Sequence, residues 1–317
     1  MHKVQRAIAI VNTWKPEALR IAEEIRAELE ARRVSCDIYT YDGISSQNPF
    51  DSYDFAITLG GDGTVLFAAR HCARKRIPVF PVNLGEFGFI AGIQPTAWKR
   101  PLVDYLEGKK HSAERMLLTV RVDRGASTVF TSDALNDAVI SGSGIARIVY
   151  LSIFFNDQSF GEYKADGVIV ATPTGSTAYA AAAGGPILAP DLSALILAPI
   201  CAFSLSNRPI VLPANGVMKI TVMPMRHKTA CLTIDGQEVF ALQEGDSVYV
   251  QQAPDKIRLI GCDTDVFYGA LRSKLNWSGV PVRSEVNAAC LTLQETGIAV
   301  NDGEEGIGKA GTGGVDA

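Results

Sequence analysis

Residues 57–72 read ITLGGDGTVLFAARHC. An apolar run at 55–59 hands over to Gly60-Gly61-Asp62-Gly63-Thr64, and a helical pattern follows at once. A turn needs one glycine. A cluster of them suggests that the backbone must come very close to something. Successive backbone N–H groups at a helix N-terminus suit phosphate oxygens. Asp62 would repel a phosphate, so its presence needs a reason. A carboxylate beside a phosphate cradle can accept a proton from an attacking hydroxyl, or it can help hold a magnesium ion. The bland alternative is an ordinary Gly-Asp turn capping a helix at Thr64. No Gly-Lys-Ser/Thr follows, and no His-Arg-Asp or Asp-Phe-Gly occurs, so neither the usual nucleotide-hydrolase loop nor the protein-kinase set is present. The pattern is not Gly-x-Gly-x-x-Gly, and a hydride-transfer site is not indicated.

A second cluster, NLGEFGFIAGI at 83–93, follows the next strand signal. Phe87 or Phe89 could line a base or ring pocket, or both could be core residues. The third cluster is YKADGVIVATPTGSTAYAAAAGGPI at 163–187. It packs Asp166, a strand, then Thr172-Pro173-Thr174-Gly175-Ser176-Thr177-Ala178-Tyr179, an alanine run and Gly184-Gly185-Pro186. So many hydroxyls supply small donors and acceptors for a sugar or base edge. A Ser/Thr cap at 176 or 177 followed by a small-residue helix would use the same residues.

These clusters need elements to carry them. Over the first hundred residues strand and helix signals alternate. Residues 7–11 are a short apolar strand. Pro16 opens a helix with Leu19, Ala22, Ile25 and Leu29 at helical spacing. Strands follow at 34–41, 55–59 and 78–82, with a helix over 64–74. This order predicts a parallel sheet with helices on its faces. From about 117 the pattern changes to short alternating runs: LLTVRV, RIVYLSIFF, GVIVAT, MKITVM, TACLTI and DSVYVQQ. Asp235-Gly236 and Gly245-Asp246 sit where hairpins would turn. The expected organisation is an α/β domain over 1–117 and a β-rich domain over 118–265. A helix-like or mixed stretch covers 266–278, and a Gly-rich tail without chemistry covers 291–317.

A chain of 317 residues favours two domains over one core. Its net charge of −4 gives no reason to expect nucleic acid or an anionic membrane as partner. The cysteines at 36, 72, 201, 231, 262 and 290 are scattered without zinc or redox spacing. No secretory leader is recognisable at the start, and the apolar stretch at 192–205 is too short to span a bilayer and is broken by Pro199. A cytoplasmic protein is expected.

Taken in order, GGDGT (60–64), NLGEFGF (83–89), LND (135–137), DGVIVATPTGSTAY (166–179), AGGPI (183–187) and APICAFSLSNRPIVLP (198–213) resemble the NAD kinases. GGDGT alone is shared with diacylglycerol, sphingosine and phosphofructokinase-type enzymes; the combination is more specific. The resemblance covers roughly 50–280. It implies an α/β N-terminal domain with a parallel sheet, a β-rich C-terminal domain, the active site between them, and a chain end, at 266–290, returning to the first domain. It implies that Asp62 is the general base or orienting group, and that Gly60, Gly61, Gly63 and Thr64 meet the donor phosphates. Asp62, Gly63, Phe89, Asn136, Asp137, Asp166, Thr174, Thr177, Ala178 and Tyr179 would form the NAD site. Within it, Asn136 meets the adenosine and Asp137 stands where the family has a Glu, one methylene longer. Thr174 and Thr177 meet the adenine end, Ala178 and Tyr179 line the pocket, Phe89 supplies an aromatic wall, and Asp166 binds the carboxamide of the nicotinamide.

The implied reaction moves a phosphoryl group from ATP, or polyphosphate, with Mg2+ or another divalent cation, to the 2′-hydroxyl of the NAD adenosine ribose. The metal ligands are not indicated. Because the loop lacks a lysine, Lys164 and Arg208 are candidates to neutralise phosphate charge. A homodimer or homotetramer is implied, with 204–209 contributing to a neighbour's site. Two other functions fit part of the pattern. A lipid or sugar kinase would use Asp62 but leave 172–187 without a role, and a dinucleotide sensor would bind without turnover.

Overall fold

The structure, a computed structural model, describes residues 4–43, 48–85, 88–143, 148–204, 207–224 and 230–275. The tail at 291–317, the expected return beyond residue 275, Phe87, Cys290 and residues 205–206 of SLSNRP lie outside the described residues.

In chain order the elements are β1 (Arg6–Asn12), α1 (Ala18–Glu30), β2 (Ser35–Tyr41), β3 (Phe55–Gly60), α2 (Asp62–Cys72), β4 (Val79–Asn83), α3 (Lys99–Leu106) and β5 (Ser112–Arg115). Then follow β6 (Leu118–Arg124), β7 (Ser127–Ala134), β8 (Asp137–Gly142), β9 (Val149–Phe155), β10 (Gln158–Ala165), β11 (Gly167–Ala171), α4 (Tyr179–Ala182) and β12 (Ala194–Ile200). The rest are β13 (Ile210–Pro213), β14 (Met218–Val222), β15 (Ala230–Ile234), β16 (Glu238–Leu242), β17 (Ser247–Gln252), β18 (Ile257–Ile260) and α5 (Thr264–Lys274).

The first sheet runs β2-β1-β3-β4-β18-β5, parallel except for its β5 edge. Its central strands are mostly apolar, β3 and β4 being buried along their whole lengths, because helices cover both faces. Helix α1 buries Ala18, Ile21, Ala22, Ile25 and Leu29. Leu19, expected on that face, is 52% exposed. The apolar stripe starts one residue earlier, and Leu19 falls outside it.

The second domain is two antiparallel sheets, β10-β9-β14-β17-β6-β7 and β13-β12-β11-β8-β15-β16. Alternate residues of both sheets, among them Val120, Ile153, Ile220, Val168, Leu197 and Leu232, form one core between them. Asp235-Gly236 does turn the β15–β16 hairpin, with Asp235 at φ +50°. Gly245-Asp246 does not turn a hairpin. β16 pairs with β15 in one sheet and β17 with β14 and β6 in the other, so this turn carries the chain across the core. The chain is back in the first sheet at Ile257, through β18, ahead of the 266–290 return expected from the sequence.

Side chains and backbone of α2 and of the turn that follows it tie the domains together. Arg74 forms a bidentate pair with Asp133 at 2.7 and 3.0 Å. Arg70 donates to Gln237 Oε1 at 2.7 Å, and Gln237 Nε2 returns a bond to the Gly63 carbonyl at 2.7 Å.

Candidate active site

The glycine loop sits at the carboxyl end of β3, beside the end of β4, where parallel sheets collect ligands. Packing explains only its first glycine. A Cβ on Gly60 would collide with the Thr64 side chain. A Cβ on Gly61 would meet nothing, and one on Gly63 would only touch Gln237 Nε2 at 3.4 Å. Neither has a positive φ. Their missing side chains leave the N-terminus of α2 bare, which is what an anion needs to reach backbone N–H groups. Thr64 is buried, its hydroxyl directed at Gly60 without a hydrogen-bond partner, so it supports the loop from behind.

Asp62 opens α2 and turns its carboxylate into the loop after β4. Oδ2 accepts the Phe89 N–H at 2.8 Å, and Oδ1 accepts those of Ile90 and Ala91 at 3.3 and 3.2 Å. Gly88 is required by this contact, since a Cβ there would stand 2.7 Å from Asp62 Oδ1. Asn83, buried at the end of β4, holds the same loop by accepting the Gly85 N–H at 2.9 Å. Burial pushes the Asp62 carboxyl above its ordinary range, against the three N–H groups and the charge of Lys274. A carboxylate made more basic yet held in one orientation suits proton acceptance.

The second half of the site comes from pairing of β8 with β11. Asp137 lies opposite Ala171, which brings Asn136 beside the turn that starts at Thr172. Thr172 N–H donates to Asn136 O at 2.8 Å, and its hydroxyl donates to Leu135 O at 2.6 Å. Gly175 packs so closely on the Asn136 backbone that a Cβ would collide with it. Ser176 Oγ donates to Pro173 O and accepts the Leu188 N–H at 3.0 Å. The sequence left these hydroxyls open to a ligand or to a local cap. Those of Thr172 and Ser176 are spent on the turn itself, because buried polar groups must find partners. Thr174 Oγ1 and Asn136 Oδ1, in contrast, are buried without a partner.

A groove of about 360 Å³ runs along this segment, lined by Asn136, Asp137, Ala178, Tyr179, Asp235 and Gly236 among others. Phe89, Thr174 and Thr177 line a second, adjoining cleft with Arg115 from β5 and Phe267 from α5. The structure thus joins Asp62 to Phe89, Phe89 to Thr174 and Thr177, and Asn136 to Asp137, Ala178 and Tyr179. Asp166 stands apart. It precedes β11, at the end opposite Asn136 and Thr172, roughly 20 Å away at the ~3.3 Å rise of a strand. Lys164 lies on the edge strand β10 with its ammonium 5.0 Å from the Tyr150 ring, and Arg208 is exposed; neither contacts the glycine loop among the described residues. The cation beside Asp62 is Lys274, which sequence reading missed because nothing in the pattern of 266–278 ties it to a loop two hundred residues earlier.

Asp235 was also missed, as a turn residue. Its carboxylate is fully buried and accepts three consecutive backbone N–H groups, from Leu135, Asn136 and Asp137, at 3.0, 2.7 and 3.2 Å. Arg70 stands 3.8 Å away. Burial, and then the neighbouring Asp235, push the Asp137 carboxyl up to about 7. The folded protein therefore holds a proton on Asp137 that the unfolded chain releases near pH 4. The Asp137 contribution to stability is full at acid pH and is lost as pH rises through about 7. Denaturant unfolding at pH 5 and pH 8 should show Asp137→Asn to be less sensitive to this rise than the parent protein. Equal sensitivity would place Asp137 in water.

Residues 43–110 match the family model described as the ATP-NAD kinase N-terminal domain, and residues 135–262 the ATP-NAD kinase C-terminal domain. The chain is 53% identical to an NAD kinase of Treponema denticola over 277 residues, 87% of this chain and 98% of that protein. It is 47% identical to an NAD kinase of Treponema pallidum, strain Nichols, over 86% of this chain and 90% of that one. Yeast NADH kinase complexed with NADH superposes with a TM-score of 0.80 at 22% identity, covering 89% of this chain and 91% of that chain. An Archaeoglobus fulgidus NAD kinase in complex with ATP gives 0.67 at 23% identity, covering 84% and 99%. At these identities the two structures show the fold, an α/β domain with a parallel sheet joined to an antiparallel β-rich domain.

Proposed function

Because the chain belongs to the NAD kinase family, we propose that it transfers the terminal phosphoryl group of ATP to the adenosine 2′-hydroxyl of NAD, giving NADP and ADP. The observation that carries this reading is the seating of Asp62. It is a half-buried, oriented carboxylate at the mouth of a bare helix N-terminus, and the carbonyl of the adjoining Gly63 is held by Gln237 of the second domain. In the reaction the ribose oxygen forms a bond to the γ-phosphorus, the bond from that phosphorus to the bridging oxygen breaks, and the hydroxyl proton passes to Asp62. Positioning and charge neutralisation supply most of the rate in such transfers.

The partnerless Asn136 Oδ1 and Thr174 Oγ1 support a hydroxylated ligand in the cleft, since a ribose or base edge would satisfy them. Asn136 and Asp137 hold the adenosine ribose, Thr174 and Thr177 the adenine end, and Ala178, Tyr179 and Phe89 supply the walls. Gly60, Gly61 and Gly63 face the donor phosphates, with Thr64 behind them. Asp166, at the far end of β11, is the residue proposed to meet the nicotinamide carboxamide, and a homodimer or homotetramer is the proposed assembly. A divalent cation fits as a companion of the donor. Among the described residues no group of three His, Cys, Asp or Glu side chains is placed to hold a metal ion, so the phosphates and water would supply most of its ligands.

Purified protein given ATP, magnesium and NAD should form NADP and should not phosphorylate diacylglycerol or a sphingoid base. Lipid phosphorylation without NADP would overturn the reading. NAD binding without turnover would leave a sensor in place of an enzyme.

A further inference from the structure

Helix α5 brings the chain back against the first domain, anchored by the buried Phe267 and Leu271. Its approach is close: a Cβ on Gly92 would stand 2.7 Å from Val266 Cγ1. The helix ends at Lys274, whose partly buried ammonium donates to the Gly88 carbonyl and lies 5.7 Å from the centre of the Phe89 ring. The Gly88 carbonyl and the Phe89 N–H belong to one peptide group. That group accepts from Lys274 at its oxygen and donates to Asp62 Oδ2 at its nitrogen, at 2.8 Å.

We propose that Lys274 is a positioning residue for Asp62, acting through the peptide that joins Gly88 to Phe89. A cation on a carbonyl oxygen polarises the amide and strengthens the bond its N–H donates. The same charge adds to the three N–H groups in opposing the effect of burial on Asp62. Among the described residues the other groups facing Asp62 are neutral: the N–H groups of Phe89, Ile90 and Ala91 after β4, and the Cys262 thiol after β18, which burial pushes up to about 12. Asn83 touches the loop from β4 and is uncharged. Lys274 therefore supplies the fixed positive charge that the glycine loop, having no lysine, does not.

The proposal rests on the NAD kinase reading and is tested by the pH profile of kcat/KM for NAD. Lys274→Met removes charge and hydrogen bond. Lys274→Gln keeps a donor for Gly88 and removes only the charge. Lys274→Arg keeps both. Activity that needs ionised Asp62 falls on the acid side, and removing a cation makes Asp62 easier to protonate. The acid limb should therefore move to higher pH by about one unit in the Met and Gln variants and stay in place for Arg, the usual size of an opposite-charge effect. Turnover at pH 7 should fall roughly 10-fold or more for Met and less for Gln, in line with the contribution of proton transfer. A Met or Gln variant that loses turnover with an unmoved acid limb has lost only packing, and the proposal falls. It falls equally if all three variants match the parent. Melting temperature and calorimetric NAD binding identify a variant that has not folded, in which case the Gln and Arg pair decides. Parent protein that makes no NADP would instead refute the activity itself.

Discussion

Asp62→Asn should lower turnover by about 10²–10⁴-fold, the usual contribution of a positioned proton acceptor. The amide keeps the size of the side chain and cannot take the hydroxyl proton. The geometry adds a second expectation. Both carboxylate oxygens of Asp62 accept backbone N–H groups, one from Phe89 and two from Ile90 and Ala91. Asn must turn its NH2 toward one set of these donors, which should cost about 1–3 kcal/mol of stability. The measurement is therefore threefold on one preparation: turnover, calorimetric NAD affinity and melting temperature. Slow turnover with NAD still bound supports proton acceptance, since the Asn136–Asp137 segment and the 174–179 turn carry the dinucleotide contacts. Near-normal turnover would remove Asp62 from the chemistry. Lost binding together with a collapsed melting temperature would make it a residue of the turn alone.

Asp235→Ala should destabilise the protein by about 3–5 kcal/mol, the range for removing one partner of a buried ion pair. The carboxylate has no exposed surface, and its loss would strand the N–H groups of Leu135, Asn136 and Asp137 while leaving Arg70 short of an anion. Those three residues are the segment proposed to hold the ribose, so the KM for NAD should rise in the same variant. Asp235→Asn should lose less, because its amide oxygen still accepts. A denaturant midpoint within about 1 kcal/mol of the parent, the net worth of a single ordinary hydrogen bond, would show that water replaces the carboxylate freely.

Much of the molecule was legible before its structure. Strand β3, the glycine loop and α2 follow from local rules, because a continuous apolar run, a glycine cluster and a helical pattern each depend on neighbours within a few residues. The alternation of β9, β14 and β15 marked the second domain for the same reason. The ordered motifs resembling NAD kinases named Asp62, Asn136 and the 172–179 turn. What local pattern could not show is which hydroxyls of that turn are free. Thr172 and Ser176 differ from Thr174 only in the partners that folding brings to them.

The sequence alone determined the chemistry on offer: a carboxylate among glycines, a hydroxyl-rich turn, and two domains to hold them. Tertiary structure alone decided the electrostatics. Lys274 meets the Asp62 loop because α5 packs back on the first domain, and Asp235 meets Asn136 because the β15–β16 hairpin pairs beside β8. Charge interactions fall with distance in space and are indifferent to distance along the chain. The groups that tune a carboxylate therefore leave no periodic trace in its neighbourhood, and only the folded chain reveals them.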